Sequence, residues 1–450
     1  MGTDEPGHDP ADSMASKRRD GVACQELRLS SGDMKWWRDA KFGMFIHWGL
    51  YAIPARSEWY MHSAQIPAEQ YAKLADEFVP RRFDARQWVR IARQAGMRYL
   101  VLTARHHDGF ALWDSPSSYR GFCSRRTAAR RDFVAEYVGA CHDANMRVGL
   151  YYSPMDWRFP GYFEPKELPE NAALMKEQCY GQVEELMRNY GRIDVLWYDG
   201  GWLAHQGTDA DAAWLWEPVK LNRMVRRYQP KVVISPRSGW EGDFLCDEGG
   251  HEVTGPIAPF AWEKCLNLNR PSWGYNTVQD LMSRDDVIRM LVNVAGRGGN
   301  VLLNVGPDRD GVIPPSHVER LREVGLWLER FGESIFGTGP GPFQPVDGHY
   351  CSTHEGSTVY VHVLEWRDSP TLELPPLSAV VESCRLVGGS SIGWTQSETQ
   401  IELTVPTERR QTPCTVIQLK LAGAVTGQPA PVTPPPVRPR PSSGKRRSRR

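Results

Sequence analysis

Asp194-Val195-Leu196-Trp197-Tyr198-Asp199-Gly200-Gly201-Trp202 is a short apolar run that delivers one carboxylate, ringed by three aromatic side chains, to a Gly-Gly turn. The apolar part reads as a buried strand and the glycines as a sharp exit from its C-terminal end. Standing alone, a strand-end Asp reads as a cap for the following turn or helix. The aromatics add a second reading. A ring face stacks on the C–H face of a pyranose, while a carboxylate meets positive charge developing at the anomeric carbon. What the neighbouring strands deliver to the same place decides between the two.

Outward from this segment, from about Phe42 to Ile335, the pattern of short apolar strand, polar turn and amphipathic helix repeats. Strands are expected at 42–48, 99–105, 147–153, 194–198, 232–236 and 300–305. One helix begins after Asp84 as N-cap, buries Trp88, Ile91, Ala92 and Ala95, and closes at Gly96. Another places Val134, Tyr137, Val138 and Cys141 on one face. A third carries the capping-box spacing Ser316-x-x-Glu319 and turns Val318, Leu321, Val324 and Leu328 toward a core. Strand–helix alternation with continuous apolar strands points to a parallel α/β architecture. A barrel is favoured over an open sheet, because His47, His106, His107, Tyr152, Asp199 and Arg237 fall at the C-terminal ends of different strands. An open sheet would gather its site near one switch point.

After Gly337-Thr338-Gly339-Pro340-Gly341-Pro342 the period changes to two, at 358–366, 371–375, 379–387, 399–405 and 415–421. Alternating strands without helices imply an antiparallel β-sandwich. The expected organisation is a disordered or variable segment at 1–30, a (β/α)8-like barrel at 31–338, the sandwich at 339–423 and a disordered Pro/Arg-rich basic tail at 424–450.

At 450 residues, 41% hydrophobic and 24% charged, the chain can bury a core of this size. Net charge is zero, yet the tail holds seven Lys or Arg from Arg438 to Arg450 and no acid, so the body is mildly acidic. That argues against a nucleic-acid-binding body. Nine cysteines, scattered without metal-ligand spacing, read mostly as free thiols. Met1 to Ser30 contains no apolar signal-peptide core and no later run approaches a membrane span, so a cytoplasmic chain with no membrane partner is expected.

Three imidazoles at two strand ends could grip sugar hydroxyls or ligate a metal. Metal sites in such barrels usually want a His-x-His pair with further ligands. His106 and His107 are adjacent and would point to opposite sides of an extended strand. The sugar-gripping reading is preferred, with no metal and no cofactor. Gly296, Gly298 and Gly299 precede a strand and lack a following Lys-Ser/Thr, so they read as a tight turn and not a phosphate loop.

FGMFIHWGLY (42–51), SEWY (57–60), ARHHDGFALWDS (104–115), GLYYSPMDW (149–157), DVLWYDGGW (194–202), SWGYN (272–276) and GGNVLLNVGPDRDGVIP (298–314) resemble, in colinear order, the α-L-fucosidases of glycoside hydrolase family 29. The resemblance runs over roughly residues 35–340, with the sandwich following as in that family. It implies a retaining exo-acting glycoside hydrolase with fucosylated oligosaccharides or glycoconjugates as substrates. Asp199 matches the family's nucleophile. His47, Glu58, His106, His107, Tyr152, Trp197 and Arg237 match positions that hold fucose hydroxyls or sit beside the nucleophile. Phe45 and Trp273 would wall in the C5 methyl of the 6-deoxy sugar.

A retaining enzyme needs a second carboxyl about 5–5.5 Å from the first. The family commonly places it in a Thr-Pro-Glu block after Gly-Asp-Phe. Here the run is Gly242-Asp243-Phe244-Leu245-Cys246-Asp247-Glu248, so Cys-Asp replaces Thr-Pro and Glu248 is the assignment. Asp247, Glu252 and Glu263 are the alternates, Glu263 reading better as a structural hydrogen-bonding group. Two other functions stay open at this level: a catalytically silent fucose-binding protein on the same fold, and a metal-dependent hydrolase using the three histidines. Oligomeric state is left open.

Overall fold

The computed structural model describes residues 20–367 and 369–425. Eight strands form one parallel sheet: β1 (Phe42–Ile46), β2 (Tyr99–Arg105), β3 (Arg147–Tyr152), β4 (Val195–Tyr198), β5 (Val233–Ile234), β6 (Leu245–Glu248), β7 (Trp262–Asn267) and β8 (Gly299–Val305). The strand order is β5-β4-β3-β2-β1-β8-β7-β6, a sheet curled into a barrel whose two end strands are β5 and β6. No ladder joins these two. The seam between them is crossed by Asp243, whose backbone N–H donates to the Ile234 carbonyl at 2.8 Å and whose carboxylate accepts from the Ile234 N–H at 2.9 Å.

β6 and β7 lie outside the strands that the apolar pattern predicts. The segments carry Cys246-Asp247-Glu248 and Glu263-Lys264, so their polar residues hide the apolar run by which the other six strands announce themselves. The remaining strands differ from expectation by a few residues at their ends, most at 232–236, which shortens to Val233–Ile234.

Helices cover the outside. Asp84 caps helix Ala85–Gln94 through its carboxylate and the Arg86 N–H at 2.9 Å, and Trp88, Val89, Ile91 and Ala92 face the sheet. Burying each large apolar side chain of this kind contributes about 1.5–3 kcal/mol. Asp132 caps Phe133–Asp143 in the same way. The capping box expected at Ser316 does not form: helix Pro315–Phe331 begins on a proline, with Pro314 as N-cap, so Ser316 already lies inside the first turn. A capping box forms instead between Ser283 and Asp286. The Gly298–Gly299 turn does lead into β8, and a Cβ on Gly299 would stand 2.5 Å from the Trp262 ring.

The second domain packs a five-stranded antiparallel sheet, ordered β13-β16-β11-β10-β9, with a three-stranded one, ordered β12-β15-β14. Its strands are β9 (Gly339–Pro340), β10 (Tyr350–Glu355), β11 (Thr358–Val363), β12 (Thr371–Leu374), β13 (Val381–Leu386), β14 (Gly393–Gln396), β15 (Ile401–Thr404) and β16 (Thr415–Leu421). β9, β10 and β14 add to the five strands that the period-two pattern predicts. One buried arginine staples the domains: Arg297 at the end of helix Arg284–Gly296 donates to Asp347 of the sandwich at 2.5 Å and to the carbonyl of Gly255, in the loop after β6, at 2.9 Å. Asp347 in turn accepts from the Gly255 N–H at 3.1 Å.

Residues 20–30, assigned from sequence to a disordered segment, are placed instead. Val22 bridges to Trp240, Leu27 is buried, and the Leu29 N–H donates to Asp243 at 3.0 Å. Residues 1–19 and the tail from 426 lie outside the described residues. All nine cysteines are free thiols. Among the described residues no helix is long and apolar enough to cross a membrane.

Candidate active site

Period-two alternation sorts each strand into a face toward the helices and a face toward the barrel axis. Phe45, Val101, Tyr151, Val195, Trp197, Val233, Phe244, Cys265 and Leu302 form the axial cluster. Two residues further along, β1 and β4 present His47 and Asp199 at the open end of that cluster. Gly200 and Gly201 then turn the chain away. Gly200 has φ +72°, and a Cβ on it would lie 2.9 Å from the His107 ring; one on Gly201 would lie 2.6 Å from Asp209 and 2.8 Å from the Arg237 carbonyl. Only glycine lets the backbone pass so close to the site.

Both oxygens of the Asp199 carboxylate are engaged. Oδ2 accepts from the Tyr151 hydroxyl at 2.9 Å, and Oδ1 pairs with Arg237 at 2.6 Å. The other end of the same guanidinium reaches Glu248 at 2.5 Å. Burial works against the charge on Arg237, but Glu248 and Asp199 together hold its pKa well above the ordinary value. A single planar fork thus fixes two carboxyl groups beside each other. Asp199 is 9% exposed, shielded but reachable from outside.

His47, His106 and His107 form an arc on the opposite side of Asp199. His47 Nδ1 lies 2.7 Å from Asn304 Oδ1, while the Asn304 amide nitrogen donates to Asn267 and to the Trp273 carbonyl. That arrangement makes Nδ1 of His47 the donor and leaves Nε2 as an acceptor. His106 and His107 do not point apart as expected from an extended strand. They follow the end of β2, in a turn, with ring centroids 4.0 Å apart. His107 Nε2 lies 3.7 Å from Asp199, and His106 stacks on Tyr151. Burial lowers the pKa of His47 to about 4, and burial reinforced by the neighbouring imidazoles pushes His106 and His107 well below the usual value. Three neutral rings, each with a donor and an acceptor nitrogen, suit an uncharged polyol. Among the described residues no group of three or more His, Cys, Asp or Glu side chains is arranged to hold a metal ion.

Phe45 and Trp273 stand together as an apolar wall, ring centroids 6.0 Å apart, and the His47 ring touches both, at 4.5 and 5.1 Å between centroids. Trp197 is the floor: its N–H is spent on Glu263 at 2.9 Å, and its ring stacks on Tyr151. Glu58 is buried behind the wall, where it accepts from the Gly274 N–H at 2.9 Å and anchors the loop that carries Trp273. Its burial raises its pKa.

Tyr152 is a correction. Its hydroxyl donates to Gln182 at 3.0 Å, on the helix-facing side of β3, and its neighbour Tyr151 occupies the axial face. In Tyr-Tyr the sequence offers two candidates one register apart, and the slip of one residue reverses the face.

The alternates for the second acid separate by the same alternation. Asp247 faces outward and pairs with Lys264 at 2.8 Å. Glu252 lies on an exposed loop. Glu263 is 1% exposed beneath the floor, accepting from Trp197 and from the Tyr99 hydroxyl; burial pushes its pKa up to about 7. Glu248 alone of the four meets the guanidinium that holds Asp199.

Two features went unread in the sequence. Asp209, in the loop after β4, lies against Gly201, and burial there raises its pKa to about 7. Trp59, Trp157 and His205 continue an aromatic wall outward from His107, with Trp59 and Trp157 each 5.4 Å from its ring. Trp59 and Trp157 sit inside quoted segments, but nothing in their spacing says that separate loops converge.

Comparison with known proteins bears on this geometry. The alpha-L-fucosidase family model matches residues 18–333. The chain belongs to the alpha-L-fucosidase family. It is 31% identical over 423 residues to the tissue alpha-L-fucosidase of Mus musculus, covering 86% of this chain and 90% of that protein. The alpha-L-fucosidase isoenzyme 1 of Paenibacillus thiaminolyticus is 33% identical with a TM-score of 0.76, covering 86% of this chain and 98% of that one. A GH29 alpha-L-fucosidase of Bacteroides thetaiotaomicron, solved as a trapped covalent intermediate with 2-fluoro-fucosyl fluoride, is 27% identical with a TM-score of 0.80, covering 89% and 98%. As a member of this alpha-L-fucosidase family the chain is a glycoside hydrolase on a barrel followed by a β-sandwich.

Proposed function

We propose that the chain hydrolyses terminal α-L-fucosyl linkages of glycans or glycoconjugates by double displacement, with Asp199 as nucleophile and Glu248 as acid/base. The observation that carries this reading is one guanidinium gripping both carboxyl groups at the mouth of the barrel. In the first step an Asp199 oxygen bonds to C1 of the fucosyl unit, the C1–O bond to the leaving group breaks, and Glu248 gives that oxygen a proton. In the second, Glu248 takes a proton from water as the water oxygen bonds to C1 and the ester to Asp199 breaks.

Arg237 couples the two steps. While Asp199 is an anion, its field opposes that of Arg237 at Glu248 and favours the protonated acid. Once Asp199 becomes an ester its charge is gone, Arg237 acts on Glu248 alone, and the carboxylate needed as base is favoured. His47, His106, His107 and Tyr151 supply directional contacts to hydroxyls, and each buried partner left unpaired would cost about 1–3 kcal/mol. Phe45 and Trp273 take the C5 methyl. The trapped covalent intermediate of the Bacteroides thetaiotaomicron protein supports a retaining course here.

Asp199→Gly tests the assignment. Turnover of 4-nitrophenyl α-L-fucoside should fall by about 10⁴-fold or more, and azide, filling the space of the lost carboxylate, should restore part of it. A variant that azide cannot revive removes Asp199 from the nucleophile role. Binding of fucose by the parent chain without any turnover would establish the silent reading instead.

A further inference from the structure

Glu248 is the last residue of β6, an end strand of the sheet whose hydrogen-bonded neighbour is β7. Across the seam β5 is two residues long. The chain leaves Glu248 through Gly249 and Gly250, at φ +69° and +62°, and a Cβ on Gly249 would meet nothing within 4 Å.

Lys264 stands opposite Asp247 on β7 and is 2% exposed. Its ammonium lies 2.8 Å from the Asp247 carboxylate and also donates to the carbonyl of Gly249. One buried cation therefore holds the residues immediately before and after Glu248. Strand alternation sends Asp247 to the outer face and Glu248 to the inner one, so Lys264 pulls from outside while Arg237 pulls from within. Resting on the acid/base assignment above, we propose that Lys264 is a positioning residue for proton transfer, its ammonium fixing the backbone on both sides of Glu248. Asp247, which stands where the family's block has Pro, is its counter-ion. An acid displaced by about 1 Å can cost 10²-fold in rate. That loss falls on leaving groups that need a proton.

The test compares kcat/KM on methyl α-L-fucoside, a poor leaving group, and on 4-nitrophenyl α-L-fucoside, an activated one, in the full chain. Lys264→Met should lose about 30–100-fold on the methyl fucoside and far less on the aryl one, with the basic limb of the pH profile displaced and Lys264→Arg recovering part of the loss. Asp247→Asn, which keeps the side-chain shape, should show the same discrimination and serves if Lys264→Met fails to fold. Equal losses on both substrates, or none, in Lys264→Met and Asp247→Asn overturn the proposal. Glu248→Ala is the reference. If it discriminates and the clamp variants do not, the clamp alone is wrong; if it shows no discrimination, the acid/base assignment falls and the proposal with it.

Discussion

The two halves of the barrel are built differently. β1 to β4, of five, seven, six and four residues, ladder continuously with one another and deliver the three imidazoles, Tyr151 and Asp199. β5 and β6, of two and four residues, leave a seam and deliver Arg237 and Glu248 from the chain around it. Sugar hydroxyls must be met at fixed positions, and the laddered half supplies rigid strand ends for that. Proton transfer needs one carboxyl whose charge changes during the cycle, and the strand carrying it, laddered on one side to β7, is held on its other sides by ion pairs of Arg237, Lys264 and Asp243. The lesson is that binding and acid/base work rest on different kinds of bond within one sheet.

Breaking the seam should have the largest effect on stability. Asp243 is 7% exposed and accepts from Leu29, Ile234 and Arg226 together. Asp243→Ala should cost about 3–5 kcal/mol, the order expected when one partner of a buried ion pair is removed, seen as a lower urea midpoint. A cost below 1 kcal/mol would mean the seam closes by other contacts.

A smaller effect separates floor from rim by pH. Glu263, with an unfolded value near 4.5 and a folded one raised to about 7, binds its proton more tightly when folded. Its contribution is therefore full below pH 4.5 and lost as pH rises through 7. That difference in proton affinity is worth on the order of 3 kcal/mol. Buried His47 has the opposite sign: its folded value near 4 is depressed from 6.5, so it destabilises as pH falls from 6.5 toward 4. Glu263→Gln should flatten the loss of stability between pH 4.5 and 7 and leave the acid-side loss in place. An unchanged slope in that window would show that Glu263 does not titrate there.

The smallest change sharpens the laddered half. Tyr151→Phe removes a hydrogen bond to a charged carboxylate, worth about 1.5–3 kcal/mol, and should lower kcat/KM about 10–100-fold. Tyr152→Phe should leave kcat/KM almost unchanged and weaken folding by about 1 kcal/mol through the lost Gln182 bond. The reverse ranking would put the wrong tyrosine in the pocket.

The contrast also explains what could be read in advance. Apolar runs ending in His47, His106-His107 and Asp199 identify β1, β2 and β4 directly, because buried parallel strands are continuous in hydrophobicity. β6 and β7 carry Asp247, Glu248, Glu263 and Lys264, whose partners, Lys264 for Asp247, Arg237 for Glu248, and Trp197 with Tyr99 for Glu263, come from other strands and loops, and a linear pattern has no sign of that pairing. Tyr151 and Tyr152 are equally apolar, so only the register could choose between them. The turn at His106-His107 broke the alternation on which their orientation was argued.

The Arg297 staple reaches from the sandwich to the loop that follows Glu248. Because Asp347 ties down the backbone seven residues beyond Glu248, the second domain moors the loop that follows the acid. A barrel severed near residue 338 would keep every side chain that faces the sugar, yet leave a buried guanidinium without its counter-charge and the proton donor's loop without its mooring.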